Sequence, residues 1–150
     1  MEYIPDFIKI KNLEKSVTSI CDFIKNEISN KFQKSGAVIG LSGGIDSAVT
    51  AALCVKAIGH EKVLGLIMPE KESEPKSQIL AKQFADKYNI KTEIINISSI
   101  LDSFGVYENK EKIVKEKFPN FNNDCKYRLV VPPKLGNIVG IPYLDILDDK

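Results

Sequence analysis

Gly40-Leu41-Ser42-Gly43-Gly44-Ile45-Asp46-Ser47 joins an apolar run, Ala37-Val38-Ile39-Gly40-Leu41, to an alanine-rich run from Ser47 to Ile58. A short apolar run backed by a glycine-rich turn reads as a buried parallel strand. The alanine-rich run reads as a buried helix that ends near Gly59. The junction is therefore a strand, a glycine loop and a helix start. In an open parallel sheet, ligands bind beyond the carboxyl ends of the strands. A helix start adds unpaired N–H groups and a positive dipole end, which suit a phosphate. Gly43 and Gly44 let the backbone turn tightly and come close to phosphate oxygens. Ser42 and Ser47 supply hydroxyl donors. Asp46 has the wrong sign to touch phosphate, but it suits a Mg²⁺ ion that bridges to phosphates.

The flanking sequence extends this pattern. Val63 to Met68 reads as a second buried strand stopped by Pro69, and Thr92 to Ile97 as a third. Leu13, Val17, Ile20, Cys21, Ile24 and Ile28 recur at helical spacing, which predicts an amphipathic helix over Asn12 to Asn30. A helix is expected over Pro75 to Tyr88, with Ile79, Leu80 and Phe84 inward and Asn89 as a left-handed end. A short helix over Ser98 to Phe104 ends at Gly105, and a charged one over Lys110 to Phe118 stops at Pro119. Strands alternating with helices imply an open parallel sheet with helices on both faces, a Rossmann-like three-layer α/β/α fold. After Asn120 the pattern fails. Tyr127 to Val131 can form a strand that Pro132-Pro133 ends, and Pro142 interrupts the apolar stretch Ile138 to Leu147. The expectation is one domain over residues 1–150, incomplete at its C-terminal end.

Composition narrows the partners. With 43% hydrophobic and 27% charged residues, 150 residues can bury a core. A net charge of +1 gives no electrostatic footprint for nucleic acid or a membrane surface. No apolar run approaches the roughly 20 residues of a membrane span. The start Met1 to Asp6 is acidic and broken by Pro5, unlike a signal peptide. Cys21, Cys54 and Cys125 are odd in number and widely spaced, so neither a disulfide framework nor a zinc pattern is expected. A reducing cytoplasm is the expected location.

The loop is not a Walker loop, because no Gly-Lys-Ser/Thr follows at the required spacing, and G-x-G-x-x-G is absent. Its spelling, Ser-Gly-Gly-x-Asp-Ser, resembles the pyrophosphate loop of the N-type ATP pyrophosphatases. Five fixed positions arise by chance in a chain of this length at about 10⁻⁴. Those enzymes split ATP between its α- and β-phosphates. The flanks Ile39 to Val49 and Val63 to Pro69, with Thr92 to Ile97, Leu101 and Gly105 to Tyr107, resemble the ammonia-dependent NAD synthases through their N-terminal half. The resemblance implies ATP and Mg²⁺ as cofactors, with Gly40 to Ser47 on the phosphates and Asp46 on the metal. It implies adenine against the backbone of Ile67 and Met68, for which core residues at a strand end are an equal alternative. It implies deamido-NAD and ammonia as the other small-molecule substrates, and a homodimer.

The resemblance runs from about Gly36 to Tyr107 and weakens from Asn120. Family members continue well beyond 150 residues, and their second half carries a further acidic metal ligand and most deamido-NAD contacts. The chain by itself is therefore expected to bind ATP without completing the reaction. Two alternatives stand beside an NAD synthase: a non-catalytic adenine-nucleotide-binding module, or another pyrophosphatase-loop enzyme that forms GMP or modifies tRNA. No catalytic residue is assigned. His60 reads as a solvated loop residue, and Cys21 and Cys54 as buried, inert thiols. Cys125 reads as exposed, and Asp124, Asp145, Asp148 and Asp149 as part of a solvated tail. Glu70, Lys71 and Glu72 begin either a lid or a plain surface loop.

Overall fold

Three short strands, β1 (Ala37–Gly40), β2 (Val63–Ile67) and β3 (Lys91–Ile94), lie side by side in that order, all parallel. They belong to a computed structural model that describes residues 10–117, 126–130 and 143–147. The register sets Ile39 beside Gly65 and Thr92, and Gly40 beside Leu66 and Glu93. Helix α2 (Ile45–Ile58) connects β1 to β2, and α3 (Pro75–Lys87) connects β2 to β3. The fold is thus the expected α/β class, a parallel three-stranded sheet flanked by helices. Right-handed crossovers along strands laid down in sequential order bring both helices to one face. Accordingly Val63 and Ile67 of the sheet share one buried cluster with Ala51 and Cys54 of α2 and Ala81 and Ala85 of α3. Leu41 joins it by lying over Gly65, where an added Cβ would stand 2.7 Å from its Cδ1.

Helix α1 (Leu13–Asn26) is opened by Asn12, whose Oδ1 accepts from the Lys15 N–H at 2.9 Å. It packs on α2 through Cys21 and Ile24. The sequence pattern carried this helix to Asn30. Instead, Glu27–Lys31 is a π-helical turn, with the Phe32 N–H donating to Glu27 O at 2.8 Å, and Gln33 then turns left-handed at φ 52°. Burial pushes the Cys54 thiol pKa up, with Cys21 adding to it, so Cys54 stays protonated and, as expected, buried.

Helix α3 departs from expectation in its inward face. Ala81 and Ala85 are buried and Phe84 is half-buried, while Ile79 and Leu80 are exposed. Small side chains at these two positions let the helix axis approach the sheet closely. Tyr88 closes α3 by stacking on Phe84 at 4.7 Å, and Asn89 takes the expected left-handed turn at φ 53°. Strand β3 ends at Ile94 rather than Ile97, although Ile95 and Ile97 still donate to Ile67 O and Pro69 O.

The contacts divide the chain into two compact units, Met1–Ile100 and Leu101–Lys150. In the second, α5 (Val106–Lys117) begins four residues before the sequence pattern placed it, just after Gly105 at φ 67°. It follows α4 (Ser98–Ser103), which straddles the division. Strands β4 (Lys126–Val130) and β5 (Tyr143–Leu147) form an antiparallel pair, with Tyr127 opposite Ile146. The sequence showed the first of these and left the second unassigned. Cys125, Asp124, Asp148 and Asp149 lie outside the described residues. No helix among the described residues is long and apolar enough to cross a membrane.

Candidate functional site

The site forms where β1 and β2 end. Leu41 continues β1 by donating its N–H to Leu66 O at 2.7 Å, and the chain then turns through Ser42, Gly43 and Gly44 into α2. Ser47 holds this turn together. Its Oγ accepts from the Ser42 N–H at 3.3 Å, donates to Gly44 O at 3.0 Å and lies 3.1 Å from Ser42 Oγ. Ser42 Oγ in turn accepts from the Gly44 N–H at 3.3 Å. Both serines thus shape the loop internally, a task that their reading as phosphate donors did not include.

The two glycines differ. Gly43 sits at φ 81°, and a Cβ there would stand 2.3 Å from Ser77 O in the first turn of α3. Gly44 has ordinary extended backbone at φ −85°, and its Cβ would only touch Ser42 Oγ at 3.4 Å. The turn therefore requires glycine at Gly43 on two counts and at Gly44 on neither. No side chain caps α2, whose N-cap is Gly44. The N–H groups of Ile45, Asp46 and Ser47 open the helix and have no acceptor among the described residues. Three donors and the helix dipole there point at one place, which is the geometry of an anion site.

Asp46 lies in this first turn, exposed, and no hydrogen bond or ion pair holds its carboxylate among the described residues. A hard carboxylate oxygen beside a phosphate cradle fits Mg²⁺ that takes its remaining oxygens from phosphate and water. Among the described residues no group of three or more metal-ligating side chains forms.

Beside the loop is a pocket of about 210 Å³. Leu41 and Ser42 line one side, Ile67, Met68 and Pro69 the end of β2, and Ser77 and Gln78 the start of α3. The pocket brings together four of the sequence-predicted residues: Leu41, Ser42, Ile67 and Met68. Ile67 is buried in the core, whereas Met68 is exposed with its Cε 3.6 Å from a Cβ built on Gly40. Ser77 and Gln78 went unnoticed in the sequence, because nothing in Pro75-Lys76-Ser77-Gln78 marks that turn as facing the loop. The connection Glu70 to Ser73 is a closed turn: the Ser73 N–H donates to Glu70 O, and the Glu70 N–H to Ser73 Oγ, both at 3.0 Å. His60 is exposed in the turn after α2, at the opposite end of the sheet.

Residues 16–137 match the NAD synthase family profile. The chain belongs to the NAD synthase family. An NH₃-dependent NAD⁺ synthetase of Methanocaldococcus jannaschii is 50% identical over 95 residues, 63% of this chain and 36% of that protein. One of Mesorhizobium japonicum is 34% identical over 135 residues, 89% of this chain and 42% of the relative. Among solved structures, the NH₃-dependent NAD synthetase of Campylobacter jejuni, in complex with nitrate, superposes with a TM-score of 0.57 at 40% identity. That match covers 62% of this chain and 40% of the other. The glutamine-dependent NAD⁺ synthetase of Acinetobacter baumannii, in complex with ADP, superposes with a TM-score of 0.60 at 26% identity, covering 83% and 22%. The chain thus spans 36–42% of the length of these two curated relatives. The NAD synthase match disfavours the GMP-forming and tRNA-modifying alternatives.

Proposed function

We propose that this chain is the ATP-binding portion of an ammonia-dependent NAD synthase. The loop Gly40 to Ser47 holds the pyrophosphate end of ATP, and the adenosine end lies toward Ile67, Met68 and the start of α3. The observation that carries this reading is the set of N–H groups at Ile45, Asp46 and Ser47 that have no acceptor among the described residues, at the end of the loop whose Leu41 and Ser42 line the pocket. Asp46 holds Mg²⁺, which supplies charge neutralisation on the phosphates when bound. In the complete reaction the nicotinate carboxylate oxygen of deamido-NAD attacks the α-phosphorus. The bond to the β-phosphate breaks and pyrophosphate leaves. Ammonia then adds to the acyl carbon, AMP departs and a proton is lost, leaving the amide. The residues of this loop contribute positioning and charge stabilisation on the pyrophosphate side.

The match to the NAD synthase family does not favour the alternative, a non-catalytic adenine-nucleotide-binding module. The loop stabilises charge on only one side of the α-phosphorus. Calorimetry with ATP, with and without Mg²⁺, tests the binding; unchanged heat in a Gly43→Ala variant would remove the loop from the site. Following NAD at saturating ATP, deamido-NAD and ammonium tests the chemistry. The chain alone is expected to form none, and turnover within roughly tenfold of a full-length relative would overturn that. Homodimerisation through α1 is part of the proposal, supported by the exposure of Leu13, Ile20 and Phe23. Light scattering that gives only monomer mass at micromolar concentration would count against it. The cytoplasm is the proposed location, where buried free thiols such as Cys21 and Cys54 stay reduced.

A further inference from the structure

A second cavity, of about 340 Å³, lies where α1 and α2 end and where β1 and β2 begin. Helix α2 is 14 residues long, so about 20 Å of helix separates this cavity from the glycine loop. Three lysines line it: Lys25 in the last turn of α1, Lys34 in the link to β1, and Lys62 just before β2. All three are exposed, and none makes an ion pair or a side-chain hydrogen bond among the described residues. No carboxylate lines the cavity. The neighbouring acids are turned to other partners. Glu27 pairs with Lys31 at 2.8 Å, and Glu61 lies 3.9 Å from His60.

The backbone is bent to bring these lysines together. Within the π-helical turn, Ile28 O accepts from the Lys34 N–H at 2.8 Å, and Gln33 between them takes the left-handed φ of 52°. Gly36 then passes so close to the end of α2 that an added Cβ would stand 2.5 Å from Lys62 O. A π-helical turn and a non-glycine residue at positive φ both cost energy, and both concentrate at functional sites. Lysines also gather at helix C-termini simply to complement the dipole. That accounts for only part of the charge here. Each helix end carries about half a negative charge, and the Gly59 N–H already caps α2 by donating to Val55 O at 2.9 Å. Three lysines against two such ends leave a net charge of about +2. Beside it lie the apolar surface of Ile28, Ala57 and Ile58 and the hydroxyls of Ser29 and Ser35.

We propose that this cavity binds a small organic phosphate. The ligand is a monoester whose dianion lies among Lys25, Lys34 and Lys62 and whose carbon body lies against Ile28 and Ile58. The site rests on these side chains and not on the loop's affinity for ATP, so the two ideas fail separately. The test titrates phenyl phosphate into the full 150-residue chain and follows the backbone amides by NMR. The amides of Ser29, Lys34, Ser35, Ile58 and Lys62 should shift together along one binding curve. Replacing both Lys25 and Lys34 by Gln should weaken that binding at least about tenfold, while Lys56→Gln, at an exposed lysine of α2 outside the cavity, should change it less than about twofold. Circular dichroism should show both variants folded, since every substituted residue is exposed. Inorganic phosphate should bind more weakly than phenyl phosphate, and phenol more weakly still. Shifts confined to residues 42–47 would overturn the proposal, because the anion would then occupy only the glycine loop. Binding that ignores the loss of Lys25 and Lys34 would also overturn it. Inorganic phosphate binding as tightly as the ester would remove the organic body from the site, and phenol binding as tightly would remove the phosphate; either result overturns the assignment.

Discussion

The β1–α2 and β2–α3 connections leave the same end of the sheet, yet they treat their backbone donors in opposite ways. The first is only four residues, Leu41 to Gly44, and leaves three N–H groups of α2 without an acceptor among the described residues. The second, Met68 to Glu74, donates the N–H groups of Glu70, Glu72 and Ser73 to oxygens of its own turn. It then enters α3 through Pro75, which has no N–H to offer. The second connection also carries Glu70, Glu72 and Glu74, where the first carries none and α2 adds only Asp46. We expect an anion to be held better at the start of α2 than at that of α3, although both carry a positive dipole end and Lys71 and Lys76 offset part of the acidity of the second connection. A ligand lying across the pair would put its phosphates at α2 and its neutral end toward α3.

Four substitutions, with Gly44→Ala as a control, break or sharpen this contrast. Gly43→Ala should have the largest effect, because it meets both the left-handed φ and Ser77 O. We expect a loss of about 1–3 kcal/mol in stability and at least a tenfold loss of ATP affinity, roughly 1.4 kcal/mol. Gly44→Ala is its control and should cost less than about 1 kcal/mol in urea unfolding. Equal effects at the two glycines would show that the turn relaxes in solution. Asp46→Asn should come next, weakening ATP about tenfold in Mg²⁺ and not in a chelator. A similar loss in both conditions would mean that Asp46 shapes the loop and holds no metal. Ser47→Ala removes the hydroxyl that ties Ser42 to Gly44, at a cost of about 1 kcal/mol. Thermal melting with and without ATP reads this directly, and a neutral result would show the bridge to be replaced by water. Pro75→Ala should be the smallest: it restores an N–H at α3, yet ATP affinity should stay within about twofold, with about 0.5–1 kcal/mol lost from stability. A clear gain in ATP affinity would show that the missing N–H, and not the acidic turn, keeps phosphate away.

The sequence made the loop and three strands legible because each is a local signal. Val63-Leu64-Gly65-Leu66-Ile67 can only be satisfied by burial, and Pro69 and Gly59 punctuate its surroundings. What escaped was set by partners far along the chain. Ile79 and Leu80 look like core from hydrophobicity alone, but the closeness of α3 to the sheet selects Ala81 and Ala85. The π-helical turn at Glu27 to Lys31 changes the hydrogen-bond period without changing the residue pattern, so the helix read as continuous. Strand β5 pairs with β4 across a long separation, and the Pro142 that seemed to interrupt it simply precedes its first residue. At the candidate site, the glycine turn after β1 and the helix start at Ile45 were legible from spelling. The contact of Ser77 with the loop was not, since it joins residues 34 positions apart.

That contact also bears on protein engineering. The Ser-Gly-Gly-x-Asp-Ser string suggests a portable cassette that any strand and helix could frame. Here its turn is moulded against another helix, with no room between Gly43 and the Ser77 carbonyl for a single methyl group. A graft that moved residues 40–47 alone into a foreign sheet would leave the turn without its wall. The smallest transferable piece is β1, α2, β2 and the opening turn of α3, about a third of the described residues. A search that scores the six-residue string alone will accept sequences that cannot build the shape.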